Sequence, residues 1–225
     1  MAAVEIINLI QTVLVYALPV LFAITVHEAA HGYVARYLGD NTAYAMGRVT
    51  LNPMKHIDPI GTVLMPAMLY FATSGAFLFG YAKPVPVNFG QLRHPKRDMI
   101  WVALAGPASN FIQAIGWAIL FTVLVASGVD ERFFLDMAKA GVLVNLVMWA
   151  FNLFPLPPLD GGRVLMGLLP WRQASWLGRV EPWGFFIVLG LVLLGVVGTL
   201  WLRPLISAGY SAIGFLLTPL TLLLR

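Results

Sequence analysis

The chain has 225 residues, 60% hydrophobic and 11% charged, with a formal net charge of +4 and no cysteine. A soluble domain carries about 25% charged residues, so the composition excludes a globular enzyme on a single anchor and points to an integral membrane protein. The missing cysteines exclude disulfides, thiolate metal ligands and a cysteine nucleophile, and the scattered lysines and arginines read as a topology bias rather than a nucleic-acid surface.

A spanning helix needs about 20 apolar residues, and the first candidate covers residues 4–37. Its apolar run from Ala2 to Val26 holds one charge, Glu5. The run lacks the basic start and small-residue cleavage site of a signal peptide, so it reads as a retained span. It ends in His27-Glu28-Ala29-Ala30-His31. On a helix, imidazoles four residues apart share one face and can hold a zinc ion. Glu28 leans the same way, as a candidate general base. Ionisable groups beside an apolar run are costly unless they have a task.

Residues 60–80 are apolar but interrupted by Gly61, Pro66, Gly75 and Gly80. Both flanks are basic: Arg36, Arg48 and Lys55 precede, and Lys83, Arg93, Lys96 and Arg97 follow. A full crossing would send one basic flank outward, whereas a segment that enters and returns keeps both in the cytoplasm. The charge pattern therefore predicts a re-entrant element, with a sixth full span as its rival. Stretches 47–52 and 83–88 read either as short strands or as interfacial loops. Pro84 and Pro86 limit the second to an edge strand, where an extended peptide can pair.

Further spans are expected at 99–127, 137–155, 184–202 and 204–224. The fold class is then an all-α polytopic membrane protein of five to six transmembrane helices with a short re-entrant or β-like element. It reads as one domain, 1–225, with a catalytic core of about 4–166 and a C-terminal helical pair of about 184–224. The charge bias puts the N-terminus outside and the C-terminus in the cytoplasm.

Catalytic zinc takes three protein ligands and keeps one open place. His56 and His94 sit in basic, proline-flanked loops and read as solvated. Asp160 stands apart, in Asn152-Leu153-Phe154-Pro155-Leu156-Pro157-Pro158-Leu159-Asp160-Gly161-Gly162. The prolines stop a helix and hold an extended segment, and the two glycines permit a tight turn. A lone aspartate there would cap the next helix. A two-histidine site in need of a carboxylate makes it a ligand instead. The alternating topology brings it to the side of the membrane where the histidines lie.

VHEAAHGYVARYLGD paired with NLFPLPPLDGGRV resembles the site-2 protease family of intramembrane zinc metalloproteases. The stretches LNPMKHIDPIGTVLMP and AKPVPVN and the motif Ala105-Gly106-Pro107-Ala108-Ser109-Asn110 add to it. Together they cover residues 22 to about 166. The resemblance implies one Zn2+ held by His27, His31 and Asp160, with Glu28 as the base. The family's active-site asparagine matches Asn152 or Asn110, with Asn152 ranked first as a substrate or oxyanion contact. The loop 128–136 is too short for a PDZ domain and no CBS pair follows, so the chain resembles the family's minimal branch.

The expected function is zinc-dependent endoproteolysis of a membrane-spanning protein or peptide near the cytoplasmic side of a prokaryotic cell membrane. The expected partners are that substrate and the lipid bilayer, with no nucleic acid. The alternative is a non-proteolytic membrane zinc-binding or transport protein, against which stands the lack of a polar path across the bundle. A water-facing zinc protease with a downstream glutamate ligand is a weaker match, since Glu181 is the only glutamate after Glu131.

Overall fold

The computed structural model describes residues 2–65, 68 and 80–224. Their regular structure is helical, with no strand among the described residues. The long helices are α1 (Ala2–Tyr37), α2 (Pro95–Ala126), α3 (Arg132–Asn152) and, after three short ones, α7 (Arg203–Leu223). The short ones are α4 (Asp160–Leu168), α5 (Trp171–Gly178) and α6 (Glu181–Leu193). Among the described residues four helical segments are long and apolar enough to cross a membrane, Leu9–Tyr37, Pro95–Ala126, Arg132–Asn152 and Val197–Leu223, and a bent pair, Trp171–Gly178 with Glu181–Leu193, brings the number to five if it counts as one span.

The inward faces follow from the helical repeat. In α1, Pro19, Ala23, His27, His31 and Ala35 are buried at intervals of four. In α2 the same interval buries Asp98, Val102, Gly106, Asn110 and Ala114, and in α3 Ala138, Val142, Leu146 and Ala150. Positions four apart form one ridge. Small residues in that ridge let helix backbones approach closely, as membrane bundles require. Outward positions such as Val13, Leu14, Phe22 and Ile112 are exposed and apolar, a surface suited to lipid.

Residues 47–52 and 83–88 form loops rather than strands. In the second, Pro84 and Pro86 have no N–H to give a ladder. Side chains and neighbouring loops hold it instead. Lys83 N–H donates to His56 O (2.9 Å) and Asn88 N–H to Asp40 Oδ2 (2.7 Å), while Arg48 Nη2 donates to Lys83 O (3.0 Å). His56, expected in solvent, is fully buried beneath this segment, and its Nε2 bonds Thr50 O at 2.9 Å.

Most of the expected re-entrant stretch, residues 66, 67 and 69–79, lies outside the described residues. Its ends do not. Tyr81 N–H donates to Gly61 O (2.9 Å), and Thr62 Oγ1 donates to Tyr81 O (2.9 Å). Arg93 N–H donates to Leu38 O (3.0 Å), so the chain leaves α1 and enters α2 at one end of the bundle. These bonds bring residues 61–62 and 81 together at the same end of the bundle.

The span expected over 184–202 also differs. Helix α6 stops after Leu193, and Gly195 turns the chain at φ +73°. The α5–α6 pair is bent by 69°. Helix α6 lies along the Asp160 loop, with Phe185, Val188, Leu189 and Val192 facing Phe151, Pro158 and Leu159. The chain is thus still at the Asp160 end when the last span starts. There Trp201 Nε1 donates to Ala150 O (2.7 Å) and stacks edge-on with Phe154, 5.5 Å between centroids. Further on, Gly209 abuts Leu146, and Ile213 packs with Val142 and Ala114. Helix α7 therefore runs antiparallel to α3, and Tyr210 lies near Tyr16 of α1.

The absence of native cysteines makes this topology easy to test. Ser127→Cys and Leu224→Cys are expected to react with a membrane-impermeant maleimide from one side, and Gln173→Cys from the other. Labelling of Leu224→Cys together with Gln173→Cys would contradict the fold.

Candidate metal centre

Three helices build the site. The four-residue spacing on α1 sets His27 and His31 on its inward ridge, their rings 4.7 Å apart and edge to face. Helix α2 passes so closely that a Cβ on Gly106 would lie 2.5 Å from His27 Cε1 and within van der Waals overlap of His31 Nε2. Only glycine leaves both rings their places. Asp160 comes from the first turn of α4. It does not cap that helix, which begins after Leu159 without a side-chain cap bond.

The glycines after Asp160 are there for proximity rather than for a turn. Neither has a positive φ. Cβ atoms on Gly161 and Gly162 would collide with Leu153 O and Pro157 N. Their backbones lie directly on the proline-rich loop, and that contact carries Asp160 to the histidines.

The three predicted ligands meet. His27 Nε2 lies 3.3 Å and His31 Nε2 3.4 Å from Asp160 Oδ2, and the two Nε2 atoms are 3.1 Å apart. His27 Nδ1 donates to Asn110 Oδ1 at 2.6 Å, and His31 Nδ1 to Val102 O at 2.7 Å. Both partners are pure acceptors, so in a neutral ring the proton sits on Nδ1 and the Nε2 lone pair faces inward. Burial would raise the Asp160 carboxyl, but the imidazoles of His31 and His27 outweigh it and hold it below the ordinary carboxylate range. Its Oδ2 is buried without a hydrogen-bond donor. Such an oxygen is costly to leave alone.

Two imidazole nitrogens and a carboxylate oxygen thus converge on one point, each able to bind a cation. Zinc bonds of about 2.0–2.1 Å imply tetrahedral edges of about 3.3 Å, close to the separations found. Two imidazoles and a carboxylate with one open place suit catalytic zinc. The residues fit the metal.

Glu28 sits one position along α1, half-buried, and its Oε2 accepts the Val85 N–H at 2.7 Å. The segment 81–88 therefore touches the candidate base. The two asparagines part ways. Asn110 is fully buried behind His27 and bonded to its Nδ1. Asn152 Nδ2 donates to Met148 O within its own helix. His94 is exposed near Asp98, and His56 is committed to Thr50, so neither joins the cluster. The sequence reading missed Asn145 of α3, fully buried and bonded to Asn110. A single buried amide in a helix leaves no local pattern to find.

Similar proteins carry related names. A Bacillus subtilis protein named "Putative zinc metalloprotease YwhC" is 37% identical over 198 residues, covering 84% of this chain and 84% of that protein. Rip2 of Mycolicibacterium smegmatis, named in the same way, is 30% identical over 77% of this chain and 64% of its own length. Rip3 of Mycobacterium tuberculosis, also so named, is 29% identical over 83% of this chain but 42% of its own length. No protein-family model matches, and no solved structure matches.

Gly106→Ala is expected to displace both imidazoles and leave purified protein with well under one zinc per chain by atomic emission. Retention of a full equivalent would contradict the packing described.

Proposed function

The chain belongs to the site-2 protease family of zinc metalloproteases, and from that premise we propose that it is a zinc endopeptidase that cuts membrane-spanning substrates near the site-bearing end of the bundle. The observation that carries the reading is the convergence of the His27, His31 and Asp160 lone pairs, which are within 4.8 Å of one another.

In this reading His27, His31 and Asp160 hold one Zn2+. When bound, the metal supplies a Lewis acid. Glu28 takes a proton from the attacking water and returns it to the leaving amine. The Val85 N–H fixes one carboxylate oxygen of Glu28 and leaves the other to work. Asn152 is kept as a candidate substrate contact and Asn110 as a support of His27. A helix must unwind before its peptide bonds can be attacked, and the small-residue, proline-rich stretches around 84–88 and 155–158 suit the reception of the unwound chain. The catalytic core is about residues 4–166.

The site end carries Arg36, Arg48, Lys55, Lys83, Arg93, Lys96 and Arg97, while Arg132 and Lys139 lie at the other. The positive-inside rule then orients the site toward the cytoplasm of a prokaryotic cell membrane and both ends of the chain outward.

Glu28→Gln is expected to abolish cleavage and keep zinc, as read by proteomics of membrane fragments beside metal analysis. Persisting cleavage would remove Glu28 as the base. Zinc flux across vesicles without cleavage by the wild type would favour a transport protein. Val85→Pro deletes one charge-assisted N–H bond and is expected to slow cleavage about tenfold. Its zinc content should stay at wild type. Equal rates would leave Val85 without a role in holding Glu28.

A further inference from the structure

We propose that Asn145 is a positioning residue for the metal centre, acting through Asn110 to set which nitrogen of His27 faces the metal. This rests on the metal reading above and extends it to a residue that touches neither ligand nor metal.

The chain of hydrogen bonds has one direction. Asn145 Nδ2 donates to Gly141 O (2.9 Å), the carbonyl one turn back in α3. That commits the amide orientation, so Asn145 Oδ1 points toward α2. There it accepts from Asn110 Nδ2 at 3.0 Å. Asn110 Nδ2 also donates to Ala23 O of α1 at 3.2 Å. With its NH2 group held by two acceptors, Asn110 can present only Oδ1 to His27 Nδ1. The ring must donate there, and its Nε2 is left as a lone pair toward His31 and Asp160. Both asparagines are fully buried, so no water competes for these bonds.

Remove the Asn145 acceptor and the constraint weakens. One Asn110 N–H is orphaned in an apolar bundle. The amide can then turn and offer a donor to His27, which favours the tautomer that carries the proton on Nε2. That proton would sit where a metal must bind. Partners behind a metal ligand typically affect affinity by about 10–100-fold.

The same relay joins three helices. Gly141 approaches α2 so closely that a Cβ would overlap the Trp117 ring. This brings Asn145 within one hydrogen bond of Asn110. The relay therefore reads the α2–α3 distance into the state of a ligand on α1.

The test measures Zn2+ affinity by chelator competition on the full chain in detergent, for wild type, His27→Ala, Asn145→Leu, Asn145→Ala and Asn145→Asp. A buried, protonated aspartate can donate to Gly141 O and still accept from Asn110. Asn145→Leu and Asn145→Ala are therefore expected to lose about 10–100-fold in affinity, and Asn145→Asp to stay close to wild type. Leu fills the site and Ala empties it, so equal losses separate the acceptor role from packing. Wild-type affinity in either apolar variant, or an equal loss in Asn145→Asp, would overturn the relay alone. A wild type that binds no zinc, or a His27→Ala variant that binds it equally, would overturn the metal reading and the relay with it.

Discussion

Everything at this site depends on three lone pairs held face to face inside a membrane bundle. The Nε2 atoms of His27 and His31 and the Oδ2 of Asp160 lie 3.1–3.4 Å apart. The bundle maintains this cluster from behind: Asn110 and the Val102 carbonyl claim the outer ring nitrogens, and the proline loop presses Asp160 forward. The three atoms stand at the separations that a tetrahedral cation site requires.

The rest of the fold serves the same geometry. Small residues on the ridges of α1, α2 and α3 bring backbones near enough for side chains on three helices to act together. Gly106 makes room for the imidazoles, Gly141 for Trp117, and Gly161 and Gly162 for the loop that carries Asp160. Gly184 of α6 abuts Pro157 in the same way and buttresses that loop from its far side. Arg163 of α4 then ties this corner to α6 through Glu181 at 2.8 Å. The position of the Asp160 carboxylate is thus set by packing as much as by its place in the chain.

Some of this was legible before any coordinates. A helix repeats every 3.6 residues, so His27 and His31 had to share a face, and prolines before Asp160 had to end α3. The basic flanks of 60–80 led to the expectation of a re-entrant element, and its flanking residues Gly61 and Tyr81 are hydrogen-bonded to each other. Other parts were illegible for physical reasons. Asn145 is one amide in an apolar helix, and its meaning lies in a partner 35 residues away. Gly161 and Gly162 looked like a turn because a glycine pair has the same composition whether it bends or packs. Residues 184–202 are apolar enough to span, yet Gly195 breaks them, and composition cannot tell a span from a helix laid along a loop. His56 sits among charged neighbours in the sequence but under the 83–88 segment in space.

The central claim is that His27, His31 and Asp160 together hold one zinc ion. X-ray absorption spectroscopy at the zinc edge on the purified, zinc-loaded chain tests it most directly. The account predicts a shell of nitrogen and oxygen atoms only, at about 2.0–2.1 Å, with outer scattering from two imidazoles that falls to one in His27→Ala. A spectrum unchanged by His27→Ala and by Asp160→Ala would contradict it, because the metal would then be bound elsewhere.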